Sequence, residues 1–173
     1  MSKTAEVFFL NPMKEHYLMD ISRKIGLAHT SVKRNLLELI KLGIIRESSE
    51  ERGGREFPLY SANMDSKLFI MYKKIYNLRT IMESGLIGFI EEKLMPKCIV
   101  LFGGYQRGED TETSDIDIFV ECENEELNLD KFEKKLGRKI ELHFRKKFTS
   151  YPDELKNNIV NGIVMRGFLE GYG

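Results

Sequence analysis

Cysteine is scarce in this sequence, which contains only Cys98 and Cys122 among its 173 residues. No Cys-x-x-Cys motif occurs. So few thiols argue against a disulfide framework and against a zinc site. A reducing, cytoplasmic environment therefore fits the composition.

Long hydrophobic runs are also missing, since no apolar segment approaches the roughly 20 residues that a membrane span needs. Residues 1–6 lack the apolar core of a secretory signal peptide. Hydrophobic residues make up 42% of the chain and charged residues 31%, which is an ordinary balance for a soluble globular protein. The composition therefore predicts a cytoplasmic protein without a membrane partner.

Neither sign of charge is in excess, because 27 basic side chains balance 27 acidic ones. The distribution is uneven, however: residues 1–82 carry 14 Lys or Arg against 9 Asp or Glu, and residues 83–173 carry 13 against 18. Such an asymmetry predicts two modules with different partners. The mildly basic first half is compatible with nucleic acid.

The pattern of residues 1–62 predicts three helices followed by a two-stranded hairpin. The expected elements are helices over residues 5–10, 17–25 and 31–42 and strands over residues 44–47 and 56–60. Gly26 and Gly43 would end the second and third helices, and residues 51–55 would form the hairpin tip. A helix-turn-helix followed by a hairpin is a winged helix, and this segment resembles the winged domains of bacterial and archaeal regulators.

In helix-turn-helix proteins, the start of the third helix meets base edges and phosphates, and a wing can reach the adjacent backbone. The residues expected at duplex DNA are His29, Thr30, Ser31, Lys33 and Arg34 on the helix and Arg52 and Arg55 on the wing. The alternative is a winged fold used for protein contact. The acidic residues of the hairpin favour that alternative because they dilute its positive charge.

Residues 63–82 are predicted to form a linking helix. Its apolar residues recur at alternating spacings of three and four, as in a coiled-coil seam. The residues of this seam are Leu68, Met71, Ile75, Leu78 and Met82. The spacing predicts a homodimer, whereas burial of the helix between two domains is the alternative.

The most informative segment begins with the apolar run Val100–Phe102, which ends in the pair Gly103-Gly104. Glycines at the end of a buried strand let bare backbone N–H groups approach an anion. After ten intervening residues come Asp115 and Asp117, one residue apart. Because side chains alternate along a strand, we expect both carboxylates on one face.

Two like charges on one face repel each other unless a cation lies between them. A backbone cradle for phosphate beside paired carboxylates predicts metal-assisted phosphoryl or nucleotidyl transfer. The simpler alternative is a strand–turn–strand unit whose acids face solvent.

This segment resembles the nucleotidyltransferase superfamily that includes DNA polymerase beta and the kanamycin and tRNA CCA-adding enzymes, and most of all its minimal branch. The family pattern is an apolar strand, Gly-Ser, a short loop and Asp-x-Asp. Gly103 falls on the family glycine, and Asp115 and Asp117 fall on its metal-binding aspartates. Gly104 replaces the usual serine, which removes a hydroxyl that would help to hold a triphosphate. The resemblance covers roughly residues 83–173.

The third acid of that family lies on a later strand. Apolar and polar residues alternate over residues 139–144, which predicts that strand. Glu141 is therefore the candidate third carboxylate. His143 shares its face and is expected to be a structural residue.

The resemblance implies two Mg²⁺ ions, with ATP or another nucleoside triphosphate as substrate and a hydroxyl as acceptor. The residues implied at the metal and in catalysis are Asp115, Asp117 and Glu141, and those implied at the nucleotide are Gly103, Gly104, Arg107 and Ser114. The minimal branch is associated with antitoxins that adenylylate a partner toxin. A toxin-type protein is therefore the first acceptor to expect.

The predicted fold is α/β (α+β). It comprises an N-terminal winged helix-turn-helix over residues 1–62, a linking helix over residues 63–82 and a C-terminal nucleotidyltransferase domain with a small mixed sheet over residues 83–173. The alternative function is a DNA-binding transcriptional regulator whose transferase domain senses nucleotide without chemistry. The intact carboxylates favour the enzyme, whereas Gly104 and the winged domain favour the regulator.

Overall fold

The computed structural model describes residues 2–150 and 152–170, and the chain divides into two compact units, Met1–Tyr76 and Asn77–Gly173. Within the described residues, no helix combines the length and the apolar character that crossing a membrane requires. The predicted boundaries at residues 62 and 82 stay predictions.

The first unit contains three short helices and a three-stranded antiparallel sheet, and the next helix begins within it. Its elements are α1 (Lys3–Leu10), β1 (His16–Tyr17), α2 (Leu18–Ile25), α3 (His29–Lys41), β2 (Ile45–Arg52), β3 (Arg55–Ala62) and α4 (Lys67–Ser84). The strand order is β1-β3-β2. Helices that precede an antiparallel hairpin in this order form a winged helix-turn-helix, as predicted.

The core of the first unit is built on aromatic residues. Phe8 and Phe9 of α1 are fully buried, and Phe9 packs against Phe69 and Tyr76 of α4 with ring centroids 5.3 and 5.6 Å apart. The apolar face of α3 joins them through Val32 and other aliphatic residues. The periodicity expected for the third helix is therefore confirmed.

The wing differs from its predicted form in length. Its two strands run up to Arg52 and Arg55, which pair across the tip, so the turn contains only Gly53 and Gly54. Both glycines have positive φ, 59° and 72°, as a two-residue type I′ turn requires. The polar residues near the tip extend the strands because the tight turn keeps the ladder in register.

Two further features of the first unit differ from the prediction: one short strand and the start of one helix. Strand β1 was missed because two residues give no periodic signal. Helix α3 begins at His29 rather than Ser31, because extended Ala28 precedes it and the Ala28 carbonyl accepts from the Val32 N–H at 3.0 Å. No side-chain cap was needed to start the helix.

The second unit contains a four-stranded mixed sheet with helices around it. Beyond α4 its elements are α5 (Leu86–Leu94), β4 (Cys98–Phe102), α6 (Gly103–Arg107), β5 (Ile116–Val120), α7 (Asp130–Leu136), β6 (Ile140–Phe144), a 3₁₀ turn (Phe148–Ser150), α8 (Asp153–Val160) and β7 (Ile163–Gly167). The strand order is β6-β5-β4-β7. Among the strands that the structure describes in this sheet, β5 and β6 pair in parallel and the other pairs are antiparallel.

The two faces of this sheet have separate cores. On one face, Ile116, Ile118 and Val120 pack with residues of α5 and α7. On the other face, Phe119 packs with Phe148 and neighbouring residues. The alternation predicted for β5 and β6 is thus confirmed, and it leaves polar residues of both strands on the second face.

The linking helix α4 ends at Ser84, two residues beyond its predicted end. It breaks at Gly85, whose φ of 82° separates α4 from α5. The seam residues Met71, Ile75 and Met82 are 48%, 50% and 65% exposed. The buried face of α4 lies elsewhere, at residues such as Phe69 and Ile81.

His16 makes the first unit sensitive to acid. Burial, followed by the charges of Lys24 and Lys14, lowers the pKa of His16 below its ordinary 6.5. The unfolded chain then binds more protons than the native state near that pH, so stability is complete above it and is lost as the pH falls through 6.5.

We therefore expect the wild-type chain to lose more stability than His16→Phe between about pH 7.5 and about pH 5. Urea denaturation at both pH values measures the difference. The phenyl ring would keep the edge contact with Phe8. His29→Gln, at an exposed position of α3, is the matched control and should behave as wild type. The same loss in His16→Phe as in wild type would exclude His16 as the cause.

Candidate functional site

Strand register brings Asp117 and Glu141 together. In the parallel pair of β5 and β6, Asp117 lies directly beside Glu141, and in the antiparallel pair of β4 and β5 it lies beside Phe102. Neighbouring strands are about 4.8 Å apart, and residues in register point to the same face. The backbone therefore fixes the proximity of the two carboxylates.

His143 completes a three-residue group with these acids. Its Nε2 lies 3.1 Å from Asp117 Oδ1 and 3.9 Å from Glu141 Oε1. One ligand atom from each of the three residues lies within 4.8 Å of the others. This donor set fits a divalent cation, because carboxylate oxygen and imidazole nitrogen are both common metal ligands. The sequence offered only the shared strand face as a signal for His143.

Gly103 lies against Asp117. Its φ is 77°, and a Cβ at this position would collide with Asp117 Oδ2 and lie 3.2 Å from Asp117 Cγ. Glycine is therefore required at the turn from β4 into α6 for two reasons, backbone conformation and space. The result is a backbone surface open beside the carboxylate.

Gly104 occupies a different environment. The atom nearest to an added Cβ would be the Asp110 backbone nitrogen at 3.9 Å, an ordinary van der Waals distance. A side chain as small as serine therefore fits at this position. The absence of the family's serine does not result from crowding in this chain.

Asp115 lies one residue before β5 and outside the three-residue group. Strand pairing begins at Ile116, whose N–H donates to the Lys139 carbonyl at 2.9 Å. The exposed Asp115 lines a cavity of about 440 Å³ together with Arg138 and Lys139. Its role as a metal ligand stays a prediction.

Arg107 and Ser114 both have partners within their own loop. The Arg107 Nε donates to Glu109 at 2.7 Å, and the arginine side chain is about half exposed. The Ser114 hydroxyl accepts from the Thr111 N–H at 2.9 Å. Both side chains shape the loop between α6 and β5, and their contact with nucleotide stays a prediction.

A buried polar network holds the loop between α6 and β5 in place. Asn77 donates to the Asp110 carboxylate at 2.7 Å and to the Tyr105 carbonyl at 2.8 Å. The Arg138 guanidinium lies 3.7 Å from the same carboxylate, and both side chains are at least nine-tenths buried. Sequence reasoning missed this network because its members are distant along the chain.

The residues predicted to meet DNA lie on the surface of the first unit. His29, Thr30, Lys33 and Arg34 are exposed at the start of α3, and Ser31 is half-buried. Exposure is what the proposed contact requires, although it does not identify a ligand.

The two wing arginines differ in their surroundings. Arg52 pairs with Glu50 at 3.0 Å and lies over the Tyr17 ring, 5.2 Å from its centroid. The Tyr17 hydroxyl also donates to Glu50, and this bond, followed by the one from Arg52, lowers the pKa of Glu50. The ionised Glu50 offsets much of the charge of Arg52, whereas Arg55 is exposed.

Residues 83–165 match the family described as nucleotidyltransferase domain. The match contains Gly103, Asp117, Glu141 and His143, so it includes the site described above. This part of the second unit is therefore similar to the nucleotidyltransferase domain family.

A curated relative matches part of the same chain. Over 65 residues, 33% of this chain, the sequence is 45% identical to "Putative protein adenylyltransferase" of Methanocaldococcus jannaschii. The chain spans 65% of the length of that relative.

Two solved structures are distantly similar. One is a possible transcriptional regulator from Methanosarcina mazei, with 20% identity, a TM-score of 0.36 and coverage of 52% of this chain and 73% of that one. The other is Lactococcus lactis ZitR, with 16% identity, a TM-score of 0.42 and coverage of 54% and 61%. Neither likeness adds to what the topology of this chain already shows.

Substitutions at Gly103 and Gly104 should have different effects on the stability of the chain. Gly103→Ala should destabilise the chain by roughly 1–3 kcal/mol, because it strains the backbone and displaces Asp117. Gly104→Ala should be neutral or stabilising by up to about 1 kcal/mol, since its added methyl meets no crowding in the first turn of α6. Urea denaturation of both variants measures the contrast, and equal destabilisation would contradict the close approach at Gly103.

Proposed function

We propose that this chain transfers a nucleoside monophosphate, AMP when the donor is ATP, from a nucleoside triphosphate to an acceptor hydroxyl and releases pyrophosphate. The observation that carries the proposal is the pair Asp117–Glu141, fixed in register and flanked by the required glycine Gly103. The match of the surrounding residues to the nucleotidyltransferase domain supports it.

In the proposed site, the carboxylates would bind metal and the glycine turn would bind phosphate. Asp115, Asp117 and Glu141 would hold two Mg²⁺ ions. Bound Mg²⁺ stabilises the attacking and leaving oxygens of an in-line displacement. The backbone N–H groups of Gly103 and Gly104 would orient the triphosphate without a serine hydroxyl.

Arg107 would have to exchange its partner to assist them. Its guanidinium pairs with Glu109, so a contact with triphosphate would replace one charge-assisted bond by another. Ser114 would act by keeping the loop before Asp115 in shape.

A protein hydroxyl is the proposed acceptor, and a toxin-type partner protein is the first candidate. The name of the relative in M. jannaschii, a putative protein adenylyltransferase, supports a protein acceptor. The family's association with antitoxins, noted above for the minimal branch, supports the same class.

Transfer of labelled AMP tests the enzymatic proposal. Chain, Mg²⁺ and labelled ATP are incubated with the product of the neighbouring gene, with free nucleotides and with RNA. We expect label on the protein acceptor, and loss of a metal-binding carboxylate in Asp117→Asn or Asp115→Asn should cost several kcal/mol, about 10³-fold or more in rate. Asp153→Asn, on α8 and paired with Lys156, is the matched control.

Binding is measured beside transfer. A ligand that binds only the native state raises stability, so Mg²⁺ with ATP should raise the melting temperature of wild type and of Asp153→Asn but not of Asp117→Asn. Gly104→Ser should bind ATP up to about tenfold more tightly, the effect of one added neutral hydrogen bond. An equal thermal shift in wild type and Asp117→Asn would contradict the assignment of the site.

The second candidate function is a DNA-binding regulator that senses nucleotide without chemistry. The exposed polar start of α3 favours it, together with Gly104. A wild-type chain that binds ATP with Mg²⁺ but labels no acceptor would make this the better account. We propose duplex DNA as a partner of the winged unit in either case.

Salt dependence tests the DNA proposal. Each phosphate contact adds about 0.9 to the slope of log affinity against log salt, so Lys33→Ala and Arg55→Ala should each reduce the slope by about one. Arg52→Ala should have a smaller effect than Arg55→Ala because Glu50 already pairs with Arg52. Lys131→Ala, in α7 of the other unit, is the control. If no duplex from a pool of upstream sequences binds at low salt, the winged unit is a protein-contact module.

We further propose that the chain forms a homodimer through the seam of α4. The partial exposure of Met71, Ile75 and Met82 supports this proposal, since it leaves apolar surface for a second copy. A seam of about two heptads is too short to hold a dimer alone, so the winged units would also take part.

Light scattering tests the dimer. Wild type should have twice the mass of the chain at tens of micromolar, and Ile75→Asp should reduce it to the mass of one chain because a buried charge disfavours the interface. Lys74→Asp, on the same helix outside the seam, controls for charge alone. A monomeric wild type would contradict the proposal.

A further inference from the structure

His143 lies at the centre of the candidate metal group. Its Nε2 is 3.1 Å from Asp117 Oδ1 and 3.9 Å from Glu141 Oε1. The His143 side chain is only 19% exposed, so it is largely shielded from solvent.

The ring is fixed by the strands on both sides of Asp117. It packs edge-on against Phe102, with centroids 5.1 Å apart and an interplanar angle of 63°. Phe102 is in register with Asp117, and Asp117 is in register with Glu141, the residue two before His143. Backbone pairing, and not flexible side chains alone, therefore holds the His143 nitrogen close to the carboxylate oxygens of Asp117 and Glu141.

The distances between these three side chains suit coordination of one shared metal ion. Two ligands that are each about 2.1 Å from one ion lie about 3.0–3.4 Å apart in octahedral or tetrahedral geometry. The His143–Asp117 distance falls in that range, and the His143–Glu141 distance requires only a small adjustment of the more exposed glutamate. The simpler interpretation is a hydrogen bond by which His143 orients Asp117.

The two interpretations differ in which metal the site prefers. Carboxylates suit Mg²⁺, whereas imidazole suits first-row transition metals, and affinity rises from Mn²⁺ through Co²⁺ to Zn²⁺ at a given mixed site. A histidine that only orients Asp117 would affect all cations alike. A histidine that coordinates the ion would favour transition ions selectively.

We propose that His143 is itself a metal ligand and that Asp117, Glu141 and His143 form a mixed nitrogen–oxygen site that favours Mn²⁺ or Co²⁺ over Mg²⁺. The proposal rests on the proposed function only in sharing its metal site. It assigns His143 to coordination and makes no claim about proton transfer.

Cobalt binding to the intact chain tests the proposal without an activity assay. Wild type, His143→Asn and His143→Gln are titrated with Co²⁺ and with Mg²⁺, by calorimetry and by visible absorption. We expect both variants to lose about tenfold or more in Co²⁺ affinity while Mg²⁺ affinity changes little, and to lose the absorption bands that indicate nitrogen coordination. His29→Asn, at an exposed position of α3, is the matched control and should bind as wild type.

Paramagnetic NMR provides a readout that needs no variant. The chain has three histidines, His16, His29 and His143, so their ring signals can be resolved. Substoichiometric Mn²⁺ should broaden the His143 ring selectively. Unchanged His143 signals would overturn the proposal even if a variant failed to fold.

The outcomes separate this proposal from the proposed function. Equal losses of Co²⁺ and Mg²⁺ affinity in the His143 variants would reduce His143 to a positioning residue for Asp117. Unchanged Co²⁺ binding in those variants, with Mg²⁺ binding lost in Asp117→Asn, would overturn the role of His143 and leave the enzymatic proposal standing. If Asp117→Asn binds every cation as wild type does, the metal site itself is contradicted.

Discussion

The backbone pairing of β5 with its two neighbours is the constraint on which the candidate site depends. Antiparallel pairing with β4 sets Asp117 beside Phe102, and parallel pairing with β6 sets it beside Glu141. A shift of one residue in either ladder would turn the acids into the apolar core on the opposite face. Because Ile116, Ile118 and Val120 are fully buried there, such a shift is strongly disfavoured. The hydrophobic core therefore fixes the position of the charged groups.

Close approach at Gly103 is the second constraint, and it follows from the first. Asp117 is held on a central strand, so the turn that leaves β4 has to pass beside its carboxylate. Glycine is the residue that permits both the conformation and the distance. At Gly104 neither condition applies, so the fold does not require glycine at this position.

The sequence predicted β5, β6 and α3, because alternation along the two strands and helical periodicity in α3 are local signals. It also suggested Glu141, but the neighbour relation to Asp117 depends on a strand register that local patterns do not encode. The contact of His143 with Asp117 was not predicted for the same reason. Arg52 was predicted to be an available cation, yet the hairpin and the short strand β1 bring Glu50 and Tyr17 to it. Long-range pairing, rather than composition, accounts for each of these differences.

The polar network behind the loop has a consequence for ligand recognition. Asn77, Asp110 and Arg138 are buried under the segment that ends at Asp115, and they hold the Tyr105 carbonyl and the loop in one arrangement. The conformational entropy of this segment is therefore lost when the domain folds and not when a ligand arrives. A ligand that meets an already ordered loop binds with a smaller entropic penalty, and its association is limited by encounter more than by rearrangement of the protein. The surface beside the acids is thus preorganised before a ligand arrives.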